Sequence, residues 1–382
     1  MRAATAVIDL DAIRHNLATA RRLAAGSKVV AVVKANAYGH GAARILPALG
    51  AADMLGVACI EEALALRKAG ARQPILLLEG VFEAEELPLC ARLGFEIVVH
   101  EPGQVRMLEE ARLLRPLTAW LKIDSGMGRL GVAPEAAPAL WRRLADCAAV
   151  APAIRLMSHF ADADAPGSVA TREQLARLAA LDLPGERSFA NSAGVLGWPA
   201  AHADWVRPGV MLYGVSPMAG RNGAEDGLRP ALSLQTRLIA VKERQAGEPV
   251  GYGAAWRAEG TTRIGIAAMG YGDGYPRHAA SGTPVLVAGQ PAKLAGRVSM
   301  DMIAIDLGPR STAEVGSPVL LWGEALPVET VARHAGTIAY ELLCGIAGRV
   351  RVELKDRQRP PIPAPAPGLR PSAAAGPSGL AA

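Results

Sequence analysis

Apolar residues in the first half of the chain fall into eight short, nearly unbroken runs: Val29–Val33, Met54–Cys59, Pro74–Leu78, Glu96–Val99, Thr118–Ile123, Ala153–Met157, Arg187–Ala190 and Val206–Tyr213. Between them lie segments with helical spacing, such as 61–70 (EEALALRKAG), 83–94 (EAEELPLCARLG), 104–114 (QVRMLEEARLL) and 171–182 (TREQLARLAALD). The segment after the seventh run shows that spacing only weakly. Continuous apolar strands, each followed by an amphipathic helix, indicate a parallel sheet covered on its outer face. Eight such units predict an α/β fold, a (β/α)8 barrel over residues 1–225.

The pattern changes at 221–230 (RNGAEDGLRP), which reads as a Gly-rich polar linker. Beyond it LSLQTRLIAVKE, TRIGIAAMG, TPVLVAG, MIAIDLG and SPVLLWG are short strands separated by turns, with little helix between them. Residues 226–356 are therefore expected to form a mostly antiparallel β-domain, with which the first residues of the chain can pair. From Arg357 the composition shifts again, with 7 prolines in 360–382, so 357–382 reads as a disordered Pro/Ala-rich tail.

Among the 382 residues 51% are hydrophobic and 20% charged, which provides a large core and excludes global disorder. The net charge of +5 comes without a basic run interleaved with aromatics, so no nucleic-acid partner is expected. The opening MRAATAVIDLDAI carries Asp9 and Asp11 where a secretory leader would be apolar. No 18-residue apolar span is present either, and a cytoplasmic protein without membrane association is expected. The four cysteines lack metal or redox spacing, and no metal site is anticipated.

Barrel enzymes place their chemistry at the carboxyl ends of the strands. The first run ends in Lys34, followed by Tyr38 and by Gly39 and Gly41, which permit close backbone approach. A lysine there is either a snorkelling rim residue or a nucleophile toward carbonyls. The fifth run leads to Lys122, Asp124 and Arg129, the sixth to Ser158 and His159, the seventh to Asn191 and Ser192. Arg207 stands in the eighth, just before Gly209 and Val210. Backbone N–H groups after Ser192 and around Gly209 and Val210 lie where barrels bind phosphate. A phosphate site together with a nucleophilic lysine suggests pyridoxal phosphate held as a Schiff base.

VVKANAYGHG around Lys34 resembles the cofactor-lysine signature of the bacterial alanine racemases. The likeness continues through LKIDSGMGRLG, SHFA, NSAG, VRPGVMLYG, VGYG, MGYGDGYPR, GRVSMDM and AYELLC, and covers residues 1–356. It implies a pyridoxal-phosphate-dependent enzyme of fold-type III that interconverts L- and D-alanine with two bases. Lys34 would be one base and Tyr252 the other, lent by the second subunit of a homodimer. Arg129 would contact the substrate carboxylate, Met300 would reach the substrate from the second subunit, and Tyr271 would line the entrance. Tyr38, Ser192, Gly209, Val210 and Tyr340 match the phosphate-binding set, and Lys122 matches a lysine many members carry as a carbamate. Arg207 matches the partner of the pyridine nitrogen. A tyrosine phenol, with a reference pKa near 10, needs help to act as a base. A network from His159 through Arg207 is a candidate for that help.

Three other readings stand beside this one. A racemase of broader range would share the fold. A pyridoxal-phosphate carrier protein would lack the β-domain with Tyr252 and Met300, and a decarboxylase would pair the pyridine nitrogen with a carboxylate. The sequence leaves open whether D-alanine is supplied to peptidoglycan or broken down.

Overall fold

The structure, a computed structural model, describes residues 3–358. Strand β1 (Thr5–Asp9) runs directly into the helix Leu10–Leu23, which Asp9 caps by accepting from the N–H groups of Asp11 and Ala12 at 3.0 and 3.1 Å. Eight parallel strands follow: β2 (Lys28–Val32), β3 (Met54–Val57), β4 (Ile75–Leu77), β5 (Phe95–Val99), β6 (Ala119–Lys122), β7 (Arg155–Met157), β8 (Arg187–Ser188) and β9 (Trp205–Val206). They pair in sequence order, and β9 closes onto β2 through Lys28 opposite Trp205. The predicted barrel is present.

The apolar runs are unbroken because both faces of each strand are buried. Val30, Met54, Leu76, Val98, Trp120, Met157 and Trp205 fill the barrel interior. Their chain neighbours Val29, Ala31, Leu55, Ile75, Ile97 and Leu121 pack in the separate core under the helices. Arg155 lies between the Trp120 and Trp205 rings, 5.1 and 5.0 Å from their centroids, and pairs with Glu96 and Glu186. The two indole N–H groups donate to the same carboxylates.

The eighth run differs from expectation. Only Trp205–Val206 is strand, and Val210–Tyr213 forms a 3₁₀ turn. Pro208 has no N–H for a ladder, and Val210–Tyr213 is apolar because the turn is buried. The weakly marked helix after the seventh run is Ser192–Gly197, too short to show a periodicity.

The second half contributes β10 (Leu232–Arg244), β11 (Pro249–Val250), β12 (Trp256–Arg257), β13 (Thr262–Ala267), β14 (Pro284–Val287), β15 (Gln290–Leu294), β16 (Ile303–Asp306), β17 (Pro318–Trp322) and β18 (Arg351–Lys355). Eight strands form one sheet in the order β13-β16-β15-β14-β17-β10-β1-β18. All its pairings are antiparallel except β1 with β18. Strands β11 and β12 make a separate two-stranded ribbon.

Two helices, Val328–His334 and Ala339–Cys344, correct the expectation of little helix here. At seven and six residues they are too short for a clear apolar period. The segment read as a linker folds into the 3₁₀ turn Gly223–Asp226. Glu329 holds it by accepting from the N–H groups of Ser216 and Gly223 at 3.1 and 2.9 Å. The Arg357 N–H donates to Asp11 at 2.9 Å, so the chain is still tethered there. The rest of the tail expected over 357–382 lies outside the described residues from 359 onward. Among the described residues, no helix is long and apolar enough to cross a membrane.

Candidate active site

The carboxyl ends of the barrel strands open into a cavity of about 1120 Å³. Of the residues singled out from the sequence, Lys34, Tyr38, Lys122, Arg129, His159, Ser192, Arg207, Gly209, Val210 and Tyr340 line it, with Asn191 beside Ser192. The first nine come from barrel strand ends and the loops after them, and Tyr340 from the helix Ala339–Cys344.

Lys34 stands two residues beyond β2. The chain then makes a left-handed turn in which Ala35, Asn36, Ala37 and Tyr38 have φ between 51° and 57°. Such a conformation costs an L-residue roughly 1–2 kcal/mol. Gly39 ends the turn at φ 80°, and a Cβ on it would lie 2.0 Å from the Leu343 carbonyl oxygen. The reversal brings the Tyr38 phenol against Gly209, where an added Cβ would meet its oxygen at 2.5 Å. The Ser192 hydroxyl accepts from the N–H of Gly209 at 2.8 Å, which leaves its own proton to donate. The Tyr38 ring packs 4.9 Å from Tyr213 and 6.1 Å from Tyr340. Burial pushes the Tyr38 phenol well up and that of Tyr340 to about 12. Both therefore remain protonated donors at neutral pH.

The same cavity holds a cluster of cations. Arg207 is 4% exposed, and burial lowers it only to about 10, so it stays charged. It donates to the carbonyls of Ser188 (2.7 Å) and Ser158 (2.6 Å), to the Ser188 hydroxyl (2.7 Å) and to His159 Nδ1 (3.3 Å). None of these partners is a carboxylate. A guanidinium only donates, so this contact needs Nδ1 as the acceptor; the Asn191 amide N–H, also a donor, stands 3.4 Å from Nε2, and a neutral imidazole accepts from one of the two. Burial first, then the charges of Arg207, Arg129, Lys122 and Lys34, hold His159 neutral.

Lys122 closes β6 and is 7% exposed. Burial, then the Arg207, Arg129 and Lys34 charges, push its amine down to about 8. The loop carrying Arg129 is folded by Asp124, whose Oδ1 accepts from the N–H groups of Gly126, Met127 and Gly128 at 2.9, 2.8 and 3.1 Å.

Tyr252, Tyr271 and Met300 do not line this cavity. They are 68%, 40% and 54% exposed on the β-domain. Tyr252 follows β11 in the ribbon loop. Tyr271 and Met300 sit side by side, joined through the Gly272 N–H donating to the Met300 carbonyl at 2.9 Å. Arg349 binds Asp273 and Asp301 at 2.8 Å each and holds the two loops together. Sequence reasoning missed Glu79 and Asp164, which also line the cavity. Glu79 closes the third apolar run as Lys34 closes the first, so the strand-end rule applied to every run would have found it.

The family described as "Alanine racemase, N-terminal domain" matches residues 8–217, and "Alanine racemase, C-terminal domain" matches 231–354. The biosynthetic alanine racemase of Escherichia coli K12 is 52% identical over 359 residues, which cover 93% of this chain and all of the relative. The crystal structure of biosynthetic alanine racemase from Pseudomonas aeruginosa superposes with a TM-score of 0.91 at 51% identity, covering 93% of this chain and 100% of that one. The alanine racemase of Bartonella henselae, solved with covalently bound pyridoxal phosphate, gives 0.82 at 28% identity, over 93% and 100% of the two chains.

Proposed function

The chain belongs to the pyridoxal-phosphate-dependent alanine racemase family and is an isomerase that interconverts L- and D-alanine, and from that premise we propose how its residues divide the work. The cavity suits that cofactor. Gly209 leaves the room that a Cβ would fill, and Ser192, Tyr38 and Tyr340 are hydroxyl donors around it for a phosphate. Arg207 supplies a donor for the ring nitrogen. When bound, the cofactor withdraws the charge left at the substrate Cα after proton removal.

Lys34 would hold the cofactor covalently, and its amine, once displaced by the substrate amine, removes the Cα proton of D-alanine. Tyr252 of a second copy faces the opposite side and removes the proton of L-alanine, so the substrate need not rotate. The observation that supports a shared site is the exposure of Tyr252, Tyr271 and Met300 on one domain while the cavity that needs a second base contains none of them. With Arg207 as the donor to its Nδ1, His159 carries its proton on Nε2 and steadies the phenolate of Tyr252. Arg129 binds the substrate carboxylate. Arg207 only donates, so it would hold the ring nitrogen as an unprotonated acceptor and leave the bound cofactor a weak electron sink. That restrains side reactions at the cofactor. Lys122, carried as a carbamate, gives Arg129 an anionic partner.

We place the enzyme in the cytoplasm, feeding D-alanine to peptidoglycan, a role the biosynthetic naming of its 52%-identical relative supports. Borohydride reduction of the native protein should fix pyridoxal phosphate on the peptide containing Lys34. Tyr252→Ala should impair solvent-deuterium exchange at L-alanine more than at D-alanine. Labelling of another lysine, or equal loss in both directions, contradicts these assignments.

A further inference from the structure

His40 has no part in the chemistry above, yet it lies inside the cofactor-lysine segment and is fully buried. Its Nδ1 is 3.0 Å from the carbonyl oxygen of Ala37 and 3.0 Å from that of Tyr38. Carbonyls only accept, so Nδ1 must carry the proton and share it between them. Burial lowers the imidazole to about 4, so it is neutral at working pH. Its ring also packs on Tyr213, 4.5 Å between centroids.

These two carbonyls belong to the last two residues of the left-handed turn. Ala37 and Tyr38 are poor occupants of that region, and the conformation persists only if the surroundings impose it. The Asn36 end is tied by exposed contacts, from Glu62 to the Asn36 N–H at 3.2 Å and from the Asn36 side chain to the Ala42 N–H at 2.9 Å. Backbone bonds close the rest of the turn, the Gly39 N–H donating to the Ala35 carbonyl at 3.1 Å and the His40 N–H to the Ala37 carbonyl at 3.0 Å, but the Tyr38 carbonyl is left to the His40 ring. Among the described residues the Tyr38 carbonyl has no other hydrogen-bond donor.

We propose that His40 is a positioning residue for cofactor binding: by clamping the carbonyls of Ala37 and Tyr38 it fixes the reversed turn and sets the Tyr38 phenol opposite Gly209 and Ser192. This rests on the reading of the cavity as a pyridoxal-phosphate site. The role belongs to the δ-nitrogen donor and not to the ring as packing material, and the two can be separated. His40→Phe keeps a ring against Tyr213 and loses the donor. His40→Asn loses the ring and keeps an amide N–H at the δ position.

The full-length chain is stripped of cofactor, and the Kd for pyridoxal phosphate is measured by fluorescence titration beside the apoprotein Tm. His40→Phe should raise Kd roughly tenfold or more while lowering Tm less than His40→Asn does, since it strands the Tyr38 carbonyl but keeps the ring and removes the Nε2 that has no partner among the described residues. His40→Asn should keep Kd within about threefold of wild type while the smaller side chain lowers Tm. Should His40→Phe not accumulate, His40→Gln, whose amide sits at the ε position, takes its place with the same expected rise in Kd. Wild-type affinity in the donor-less variant overturns the proposal. So does a Kd that simply follows Tm through both variants, because that is what fold support alone would give. If borohydride fixes no cofactor on Lys34 of the wild type, the reading of the site fails first and the proposal falls with it.

Discussion

Gly209→Ala adds one methyl group where the structure leaves no room. The new Cβ would sit 2.5 Å from the Tyr38 oxygen, 3.3 Å from its Cζ and 3.6 Å from the Val32 Cβ. Gly209 itself has φ −117° and ψ −94°, so the left-handed region is not involved, and the contact is isolated by comparison across two backgrounds. Tyr38 cannot easily retreat, because it is buried, its ring faces Tyr213 and Tyr340, and its backbone is locked in the reversed turn. Overpacking of this kind costs about 1–3 kcal/mol. Expressed in cofactor binding that is a loss of roughly 5- to 150-fold. The decisive comparison is the same change in a Tyr38→Phe background, which removes the atom at 2.5 Å and leaves the ring carbon at 3.3 Å. There the added methyl should cost less than about 1 kcal/mol, so the cycle should show a coupling of at least about 1 kcal/mol. Fluorescence titration of the four apoproteins, read beside their Tm values, measures it. Equal Gly209→Ala penalties in both backgrounds would refute the clash, as would a single variant that binds within about twofold of wild type.

Arg207→Glu should raise transamination relative to racemisation, because a carboxylate lets the ring nitrogen take a proton; single-turnover assays with unchanged partitioning would count against it. Lys34→Ala and Tyr252→Ala proteins, each inactive alone, should regain about a quarter of wild-type activity when mixed and re-equilibrated, since half the dimers are mixed and each carries one intact site. No recovery would mean that the sites are not shared. Lys122 must be a neutral amine to add carbon dioxide, so carbamate occupancy at fixed dissolved CO₂ should rise as pH climbs through about 8, read from a ¹³C resonance absent in Lys122→Ala. A pH-independent signal, or one that survives the substitution, contradicts the assignment. Burial opposes the charge on Glu186, but Lys28, Trp205 and Arg155 outweigh it and hold the carboxyl down to about 2. A lowered value stabilises above the unfolded carboxyl pKa, about 4.3, and that stability is lost as pH falls toward 2. The Tm gap between wild type and Glu186→Gln should therefore narrow across this window, and a constant gap would show that the charge is irrelevant.

The barrel was legible because its strands are buried on both faces, which makes the apolar runs long and plain, as with Val30 facing inward between Val29 and Ala31 facing out. The same signal misled at Val210–Tyr213, which is equally buried but is a turn, and Pro208 was the clue to that. Lys34, Lys122, His159 and Arg207 could be picked out because a polar group closing a buried strand is costly unless it is used. The reversed turn could not be foreseen. Ala35 and Ala37 favour ordinary helix, and what opposes that is a distant group, the Leu343 carbonyl against Gly39, together with a side-chain clamp from His40 that no apolar periodicity reveals. Nor could the β-domain residues be placed by pattern, because Tyr252 between two glycines reads as a turn residue. Their roles came only from the family likeness.

The charges around the cavity explain why these parts belong together. Lys34, Lys122, Arg129 and Arg207 line one cavity, beside the carboxylates of Glu79, Asp164 and Glu329, and every hydrogen-bond partner of Arg207 is neutral. Like charges held together in a partly buried site are unfavourable unless an anion enters. The field that keeps His159 neutral and brings the Lys122 amine near pH 8 is therefore the field that draws in a phosphate and a substrate carboxylate. Its members differ in what they can do. The two lysines can give up a proton and form a bond to carbon, which suits the proposed attachment to the cofactor and to carbon dioxide. The two arginines cannot, which suits the donor roles proposed for them at the ring nitrogen and the substrate carboxylate. A site with lysines in the arginine places would lose that division. Each amine could then be deprotonated by its neighbours, and no group would reliably keep the ring nitrogen an acceptor.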